Sequence, residues 1–149
     1  GTFNNLVMGE SISSCLPCAA GHYCPTPGIS IQSCIICPSK YYCPLASTAP
    51  ISCPAGSFCE NGSSVNTTCY SGYYCPPKTA EPIPCPSGAY CPIASVTPSV
   101  CFPGTFCPSL SHYPSLSVES SCIACPPGKF GADPRRLTCE DCRPGYACF

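Results

Sequence analysis

Apolar residues along this chain do not follow the period of a helix or of a long strand. Leu, Ile and Val never form periodic runs, and the recurring large side chains are single Tyr or Phe residues placed before a cysteine. The stretches between them are rich in Ser, Thr, Pro and Ala, such as PLASTAPIS and PIASVTPSV. Because an amphipathic helix needs apolar residues every three or four positions, the pattern predicts turns, short two-stranded β pieces and irregular chain, with little or no helix.

Each aromatic residue belongs to a repeated core of the form Cys-Pro-x-Gly-x-(Tyr/Phe)-Cys, which some copies match only in part. Four copies recur every 16 residues in the middle of the chain. A unit of this size cannot bury a face by itself, so each unit must be stabilised by its neighbours along the chain. This organisation predicts an elongated rod. The copies start at Cys18, Cys37, Cys53, Cys69, Cys85, Cys101, Cys125 and Cys142.

The third residue after the first cysteine of a core is nearly always glycine, which favours a turn with positive φ. In the core that starts at Cys37 this residue is Lys40, and a lysine argues against positive φ there. We expect the aromatic side chains to cover disulfides or prolines and to act as the miniature core of each unit. The glycines are Gly21, Gly56, Gly72, Gly88, Gly104, Gly128 and Gly145.

Composition places the chain among disulfide scaffolds. It has 19 Cys and 21 Pro in 149 residues, and a cysteine content above roughly 8–10% is typical of secreted or cell-surface proteins. The net charge is −1, so we expect no binding of nucleic acid. No stretch approaches the roughly 18 consecutive apolar residues of a membrane span, which argues against direct membrane insertion. Composition therefore predicts an extracellular location, either secreted or attached to the cell surface.

Two segments near the C-terminus resemble a known class of repeats. CIACPPGKF at Cys122–Phe130 and CEDCRPGY at Cys139–Tyr146 are similar to ephrin-receptor-like and tumour-necrosis-factor-receptor-like cysteine-rich repeats. The resemblance covers nearly the whole chain and implies an extracellular disulfide module, in which Cys139 would pair with Cys125. The middle cores lack the first cysteine of the C-x2-C pair and gain one after the aromatic. Such a variant form looks like the repeats of surface-fibre proteins of protists and algae.

The repeats divide the chain into four expected segments. Residues 1–17 are the end of a truncated upstream repeat, because Gly1-Thr2-Phe3 matches Gly104-Thr105-Phe106. Cys15 would then pair with a cysteine before Gly1. Residues 18–52 hold two repeats of the C-x2-C type, and residues 53–121 hold four repeats of 16-residue period with a longer last loop. Residues 122–149 hold receptor-like C-x2-C repeats, cut at the C-terminus.

Two disulfide schemes fit the spacing. In the first, each cysteine joins the one six residues on, as in Cys53–Cys59 and Cys69–Cys75, which leaves Cys34 and Cys122 without partners. The second joins cysteines across the nine-residue loops, and we expect it because it leaves no internal thiol unpaired. Its pairs are Cys18–Cys37, Cys24–Cys34, Cys43–Cys53, Cys59–Cys69, Cys75–Cys85, Cys91–Cys101, Cys107–Cys122 and Cys125–Cys139.

Few residues suggest chemistry beyond disulfides. Asn61-Gly62-Ser63 and Asn66-Thr67-Thr68 are N-glycosylation sequons, which predict covalent glycans at Asn61 and Asn66. Cys15, Cys18, Cys34 and Cys37 have the C-x2-C spacing of a zinc ribbon, but Cys24 intervenes and the sequons indicate an oxidising compartment. His22 and His112 have no carboxylate near them in sequence and are expected on the solvated surface. We therefore expect no catalytic site, no cofactor and no bound metal.

The function that these features favour is structural. Between Asn61 and Val118 only Lys78 and Glu81 are charged, so we expect this nearly neutral region to be covered by glycan or by neighbouring copies. The sequence predicts an extracellular rod that self-associates into a fibre or array as part of a filament, coat or wall. The alternative is the stalk or ligand-binding ectodomain of a receptor or adhesin, with its ligand at the longer segment from Pro108 to Ser121.

Overall fold

The structure of the chain is a computed structural model, and it describes residues 2–4, 15–25, 29–30, 34–86, 88–107, 122–131, 138–143 and 145. Within these ranges the backbone forms short strands and turns and contains no helix. The predicted fold class, a small disulfide-rich repeat array with short β pieces, is confirmed. The strands are β1 (Thr2–Asn4), β2 (Cys15–Pro17), β3 (His22–Tyr23), β4 (Ile29–Ser30), β5 (Ile35–Ile36), β6 (Tyr41–Tyr42), β7 (Ile51–Ser52), β8 (Ser57–Phe58), β9 (Thr67–Thr68), β10 (Tyr73–Tyr74), β11 (Ile83–Pro84), β12 (Ala89–Tyr90), β13 (Ser99–Val100), β14 (Thr105–Phe106), β15 (Ile123–Ala124), β16 (Lys129–Phe130) and β17 (Glu140–Asp141).

One hairpin recurs along the chain. We call the first cysteine of a core its leading cysteine and the last its closing cysteine. The aromatic residue of a core and the residue before it form a strand, which pairs antiparallel with the two residues directly before the next leading cysteine. In β8 and β9, for example, Ser57 pairs with Thr68 and Phe58 with Thr67. The other hairpins are β3–β5, β6–β7, β10–β11, β12–β13, β14–β15 and β16–β17.

The N-terminal strand follows the same rule. Thr2 pairs with Pro17 and Phe3 with Leu16, directly before the leading cysteine Cys18. This is the register of the other hairpins. β4 adds a third, parallel strand to β1, which the sequence did not predict because its two residues lie in an irregular loop.

Seven cores make a tight turn after the leading cysteine, closed by a backbone hydrogen bond among the described residues. The N–H of Ser57 donates to the carbonyl of Pro54 at 3.3 Å, and the residue between them, Gly56, has a φ of 76°. All seven glycines at this position have positive φ, as predicted. The expectation against positive φ at Lys40 is wrong, since its φ is 75°. The left-handed region costs a residue other than glycine about 1–2 kcal/mol, and two backbone hydrogen bonds offset this at Lys40: its N–H donates to Cys59 and its carbonyl accepts from Cys53.

A second turn follows the closing cysteine and was not foreseen. Its third residue again has positive φ, although only one of the four examples is glycine. In the first example, the N–H of Ser47 donates to the carbonyl of Pro44 at 3.2 Å, and the Ser47 hydroxyl donates to the same oxygen at 2.6 Å. This serine or threonine contact is a local side-chain bond that stabilises a turn. The residues with positive φ are Ala46, Gly62, Lys78 and Ala94.

The second turn binds each unit to the one before it. The N–H of its positive-φ residue donates to the carbonyl of the preceding core's leading cysteine, as in Ala46 to Cys18 at 2.8 Å and Ala94 to Cys69 at 2.9 Å. In three cores the residue at the glycine position also bonds to the next core, through one donated and one accepted hydrogen bond of 2.8–2.9 Å, and Gly104 donates to Gly131 at 3.1 Å and accepts from Cys125 at 2.9 Å. Consecutive cores therefore share one repeated junction. The residue sets are Gly21 with Cys43 and Cys37, Lys40 with Cys59 and Cys53, and Gly72 with Cys91 and Cys85.

The chain divides into two compact units. The first comprises Gly1–Thr68 with Pro76–Glu81, and the second comprises Cys69–Cys75 with Pro82–Phe149. The short segment Pro76–Glu81 belongs to the first unit because its turn is bonded to the core before it: Lys78 donates to Cys53, and Thr79 accepts from Cys59. The boundary thus follows the junction hydrogen bonds.

Cysteine side chains form the interior. Among the described residues, every large side chain that is less than 2% exposed belongs to a cysteine. Phe58 and Tyr90 are also buried, and Tyr90 packs with Cys101 and Cys107. The prediction that aromatics cover the cysteines is confirmed at Tyr90. The fully buried side chains are those of Cys18, Cys24, Cys37, Cys43, Cys53, Cys59, Cys69, Cys75, Cys101 and Cys107.

Candidate functional site

The cysteine pairs follow from the turn in each core. The turn brings the leading and closing cysteines to a Cα–Cα distance of 5.8–6.3 Å, inside the range of roughly 4.4–6.8 Å that a disulfide needs. Five cores are closed by a disulfide between cysteines six residues apart. The pairs are Cys37–Cys43, Cys53–Cys59, Cys69–Cys75, Cys85–Cys91 and Cys101–Cys107.

The favoured pairing across the loops is therefore wrong for five of its pairs. The physical reason is that the loop after a closing cysteine folds into the second turn, whose backbone bonds to the preceding core. Within one core, by contrast, the positive-φ turn sets the two cysteines side by side. These five pairs are Cys18–Cys37, Cys43–Cys53, Cys59–Cys69, Cys75–Cys85 and Cys91–Cys101, and the predicted pairs Cys24–Cys34 and Cys107–Cys122 are not bonded either.

One predicted pair is confirmed, Cys125–Cys139. This core has Gly131 where the others have a closing cysteine. A Cβ atom at Gly131 would lie 2.9 Å from the carbonyl oxygen of Thr105 and 3.4 Å from Cys125 Sγ. Cys125 therefore takes as its partner Cys139, the first cysteine of the following C-x2-C pair. We call the first cysteine of such a pair an added cysteine.

The added cysteine Cys34 joins a core that already has two cysteines. The Sγ atoms of Cys18, Cys24 and Cys34 all lie within 4.8 Å of one another, and those of Cys24 and Cys34 are 2.6 Å apart. The three residues were predicted to form disulfides, but all three are free thiols in the structure. Cys18 and Cys24 are fully buried, whereas Cys34 is partly exposed. We call this group the first three-cysteine cluster.

Burial governs the acidity of this cluster. Removal from water disfavours the thiolate and raises the pKa of Cys18, and the neighbouring Cys24 and Cys34 raise it further. Burial is also the main reason that the pKa of Cys24 is raised. The two buried sulfurs therefore remain protonated at neutral pH as long as they are reduced.

A second three-cysteine cluster occupies the equivalent positions of the core at Cys101. Its members are the leading Cys101, the closing Cys107 and the added Cys122, with all three Sγ atoms within 4.8 Å of one another. Cys101 is bonded to Cys107 and also to Cys122, two pairings that exclude each other because a sulfur atom forms one disulfide. The predicted pair Cys107–Cys122 is not bonded, and its Sγ atoms are 3.9 Å apart.

The zinc-ribbon spacing is not assembled as one site. Of its four cysteines, Cys37 forms a disulfide with Cys43. Cys18 and Cys34 lie instead in the first three-cysteine cluster, together with Cys24, which the spacing did not include. Counting the cysteines in the sequence could have identified both clusters, since each is a complete core followed by a C-x2-C pair.

Both sequon asparagines are exposed. Asn61 lies in the second turn of its unit, where the hydroxyl of Ser63 donates to the carbonyl of Glu60 at 2.8 Å. The amide of Asn66 donates to the Ser57 hydroxyl at 3.1 Å. Glycan attachment at these residues stays a prediction, and the side chain of Asn61 is the freer of the two.

The remaining candidates are less informative. His22 was expected on the solvated surface, but it is only partly exposed, and its Nδ1 is buried without a hydrogen-bond partner. The strand pairing with Ile36 draws it into the hairpin. His112 and the segment from Pro108 to Ser121 lie outside the described residues.

The location of the protein is indicated by its disulfides and not by similarity to known proteins. Over the described residues, no helix is both long enough and apolar enough to span a membrane. The density of disulfides in so short a chain indicates an extracellular, disulfide-stabilised protein. No protein-family model matches the chain, and no curated protein is detectably similar to it in sequence.

Proposed function

We propose that this protein is an extracellular structural component, a glycosylated disulfide-stapled array that self-associates as part of a filament, coat or wall. The observation that carries this proposal is the repeated junction between consecutive cores. Its hydrogen bonds use backbone atoms of the residue at the glycine position and of the leading and closing cysteines, and the same pair of bonds recurs at Gly21, Lys40 and Gly72. Stability of this kind adds up along the chain, as in other repeat proteins, so length can be extended without a new fold.

The exposed apolar side chains support self-association. Ile occurs repeatedly two residues before a leading cysteine, opposite the aromatic residue of the hairpin, and each of these isoleucines is 39–45% exposed. An apolar position that recurs in four of the hairpins gives these units the same contact to offer to a second copy. The residues are Ile35 and Ile51 in the first compact unit, and Ile83 and Ile123 in the second.

Charge supports the same role. Lys78, one of the two charged residues between Asn61 and Val118, places its Nζ 5.6 Å from the ring centre of Tyr41. A cation over an aromatic face makes a contact within the protein. Because the only other charged residue in this region is Glu81, the middle units carry little charge, which favours close packing of copies over repulsion between them.

The test is electron microscopy of the native material from its source under non-reducing conditions. We expect ordered fibres or layers in which this chain repeats at a regular spacing. Isolated stalks that end in other domains would contradict the structural role and would favour the ligand-binding ectodomain instead.

Glycosylation is tested separately by intact mass before and after enzymatic deglycosylation. We expect a loss of mass that Asn61→Gln abolishes or reduces, because Asn61 is exposed on a turn and its side chain makes no hydrogen bond that the structure records. Asn66→Gln is the matched variant, with a smaller expected effect. An unchanged mass on deglycosylation would contradict glycan attachment at both sites.

A further inference from the structure

The two three-cysteine clusters have the same construction. In each, a complete core of leading and closing cysteine is followed by a C-x2-C pair, whose added cysteine reaches back to the core. Cys34 stands in this position in the first compact unit and Cys122 in the second. Two independent occurrences at equivalent positions make the arrangement a feature of the repeat.

Valence leaves one sulfur over in each cluster. Three cysteines can form one disulfide, and the third keeps a thiol unless a sulfur from outside joins it. The core at Cys125 shows the alternative, because Gly131 removes the closing cysteine there and the added cysteine Cys139 is used within the chain. The chain therefore has a way to use an added cysteine internally. In the second cluster Cys107 and Cys122 compete for Cys101, so one of the three sulfurs is left over whichever pair forms.

Burial decides which sulfur is available. The leading and closing cysteines of both clusters are at most 1% exposed, and the four equivalent pairs outside the clusters are bonded. The added cysteines Cys34 and Cys122 are the most exposed residues of their clusters, although Cys122 also packs against the buried group of Tyr90, Cys101 and Cys107. When the leading and closing cysteines of a cluster form a disulfide with each other, the remaining thiol is that of the added cysteine, the most exposed of the three.

We propose that Cys34 and Cys122 form disulfides with cysteines of other copies of this chain. The inference rests on the proposed structural function and deepens it, since it supplies a covalent bond between copies. One such cysteine would give only dimers. Two, one in each compact unit, allow each copy to be bonded to two others and so to build a continuous chain.

The chemistry is thiol–disulfide exchange with a low-molecular-weight disulfide such as glutathione disulfide. The Cys34 thiolate attacks one sulfur of that disulfide, forms a mixed disulfide and releases one small thiolate. A thiolate of a second copy then attacks Cys34 Sγ and releases the second small thiolate. The net reaction converts two protein thiols and one small disulfide into one interchain disulfide and two small thiols, which carry the two protons.

The test uses the 149-residue chain with Cys15→Ser in every form, because the side chain of Cys15 is not among those described. The proteins are folded in a mixture of reduced and oxidised glutathione, blocked with N-ethylmaleimide and compared on gels without reductant. We expect a ladder of reducible oligomers for the parent, dimers at most for Cys34→Ser or Cys122→Ser, and monomers for the double variant.

The matched control is the double variant Cys125→Ser/Cys139→Ser, which also removes two cysteines but takes away a completed pair. It should keep the ladder. A monomeric parent, a ladder in the Cys34→Ser/Cys122→Ser variant, or glutathione retained on both added cysteines would overturn the proposal. So would protection of a whole cluster from maleimide by zinc(II), reversed by a chelator, since this would indicate a metal site.

The outcome can be separated from the proposed function. Native fibres that dissociate into single chains in denaturant without a reductant would overturn the cross-link and leave the structural role standing. Native fibres that need a reductant, with Cys34 and Cys122 in the linked peptides, would support both.

Discussion

Two consecutive cores in the second compact unit, starting at Cys101 and at Cys125, differ by one residue in a way that changes their sulfur chemistry. Both are followed by a C-x2-C pair, and both have the same turn and hairpin. In the later core Gly131 holds the closing position, and the added cysteine Cys139 completes a disulfide with Cys125. In the earlier core Cys107 is retained, and Cys122 becomes a third sulfur.

The residue at the closing position of a core therefore determines the role of the added cysteine that follows it. A C-x2-C pair has no fixed meaning in this chain. After a core with Gly131 at the closing position, the C-x2-C pair supplies a cysteine for a structural disulfide. After a core that keeps its closing Cys107, the same spacing leaves a surplus sulfur. Cys34, which follows the complete core Cys18–Cys24, belongs to the second kind.

The largest expected difference is between Cys139→Ser and Cys122→Ser. Cys139→Ser opens a loop with a sequence separation of 14, which should lower local stability by about 3 kcal/mol in the chain-entropy account. Cys122→Ser leaves the Cys101–Cys107 staple in place and should change local stability by no more than about 0.5 kcal/mol. Hydrogen exchange at the turn amide of Lys129 measures the local stability of the core at Cys125, and exchange at the turn amide of Thr105 measures that of the core at Cys101. Equal losses in both variants would contradict the distinction.

A smaller difference is expected between glycines of the two compact units. Gly21 has a φ of 81°, and a Cβ there would overlap the carbonyl oxygen of Gly62. Gly104 has a similar φ of 83° with open space around it. Gly104→Ala should cost about 1–2 kcal/mol from the left-handed backbone alone. Gly21→Ala should cost roughly 2 kcal/mol more, because backbone must shift to make room.

The glycine comparison is read by hydrogen exchange at the hairpin amides next to each site. Equal costs for the two substitutions would show that Gly21 does not approach Gly62 as closely as the structure has it. A cost at Gly104 as large as the total at Gly21 would mean that conformational strain, and not the steric contact, governs this position.

The smallest effect concerns reactivity and leaves the fold unchanged. With the first three-cysteine cluster reduced, burial raises the pKa of Cys18 and Cys24, so the reactive thiolate is scarce at neutral pH. We expect iodoacetamide to modify the partly exposed Cys34 first and Cys18 at least roughly tenfold more slowly. Because the thiolate fraction of a raised-pKa thiol grows with pH, the gap should narrow in alkaline solution. Peptide mass spectrometry checks the order, and faster labelling of Cys18 would contradict the account.

Much of the fold could be predicted from the sequence because the turns and hairpins recur with the regular spacing of the cysteines, glycines and aromatic residues. The recurring Gly three residues after each leading cysteine predicts the turn, and the absence of periodic Leu, Ile and Val predicts a fold without helices. The second turn was missed since its positive-φ residues are Ala46, Lys78 and Ala94 as well as Gly62. Hydrogen bonds to the preceding core stabilise the positive φ of these residues. Such bonds between units cannot be predicted from the local sequence.

The disulfide scheme could not be settled from spacing because both schemes satisfy it. The choice between them depends on backbone hydrogen bonds between units, which direct the nine-residue loops toward the preceding core. The requirement that every internal cysteine be paired within the chain then selected the wrong scheme. Each three-cysteine cluster breaks that requirement, because three sulfurs cannot all pair within the chain, and the proposed cross-linking uses the added cysteines Cys34 and Cys122.

The most direct test of the account is a disulfide map of the thiol-blocked chain after chymotrypsin cleavage. Cuts after Tyr74 and Tyr90 release the segment Cys75–Tyr90, which contains Cys75 and Cys85. We predict that this segment stays bonded to two others, through Cys69 and Cys91. Its release as a single peptide with an internal Cys75–Cys85 disulfide would contradict the account and would restore the pairing across the loops.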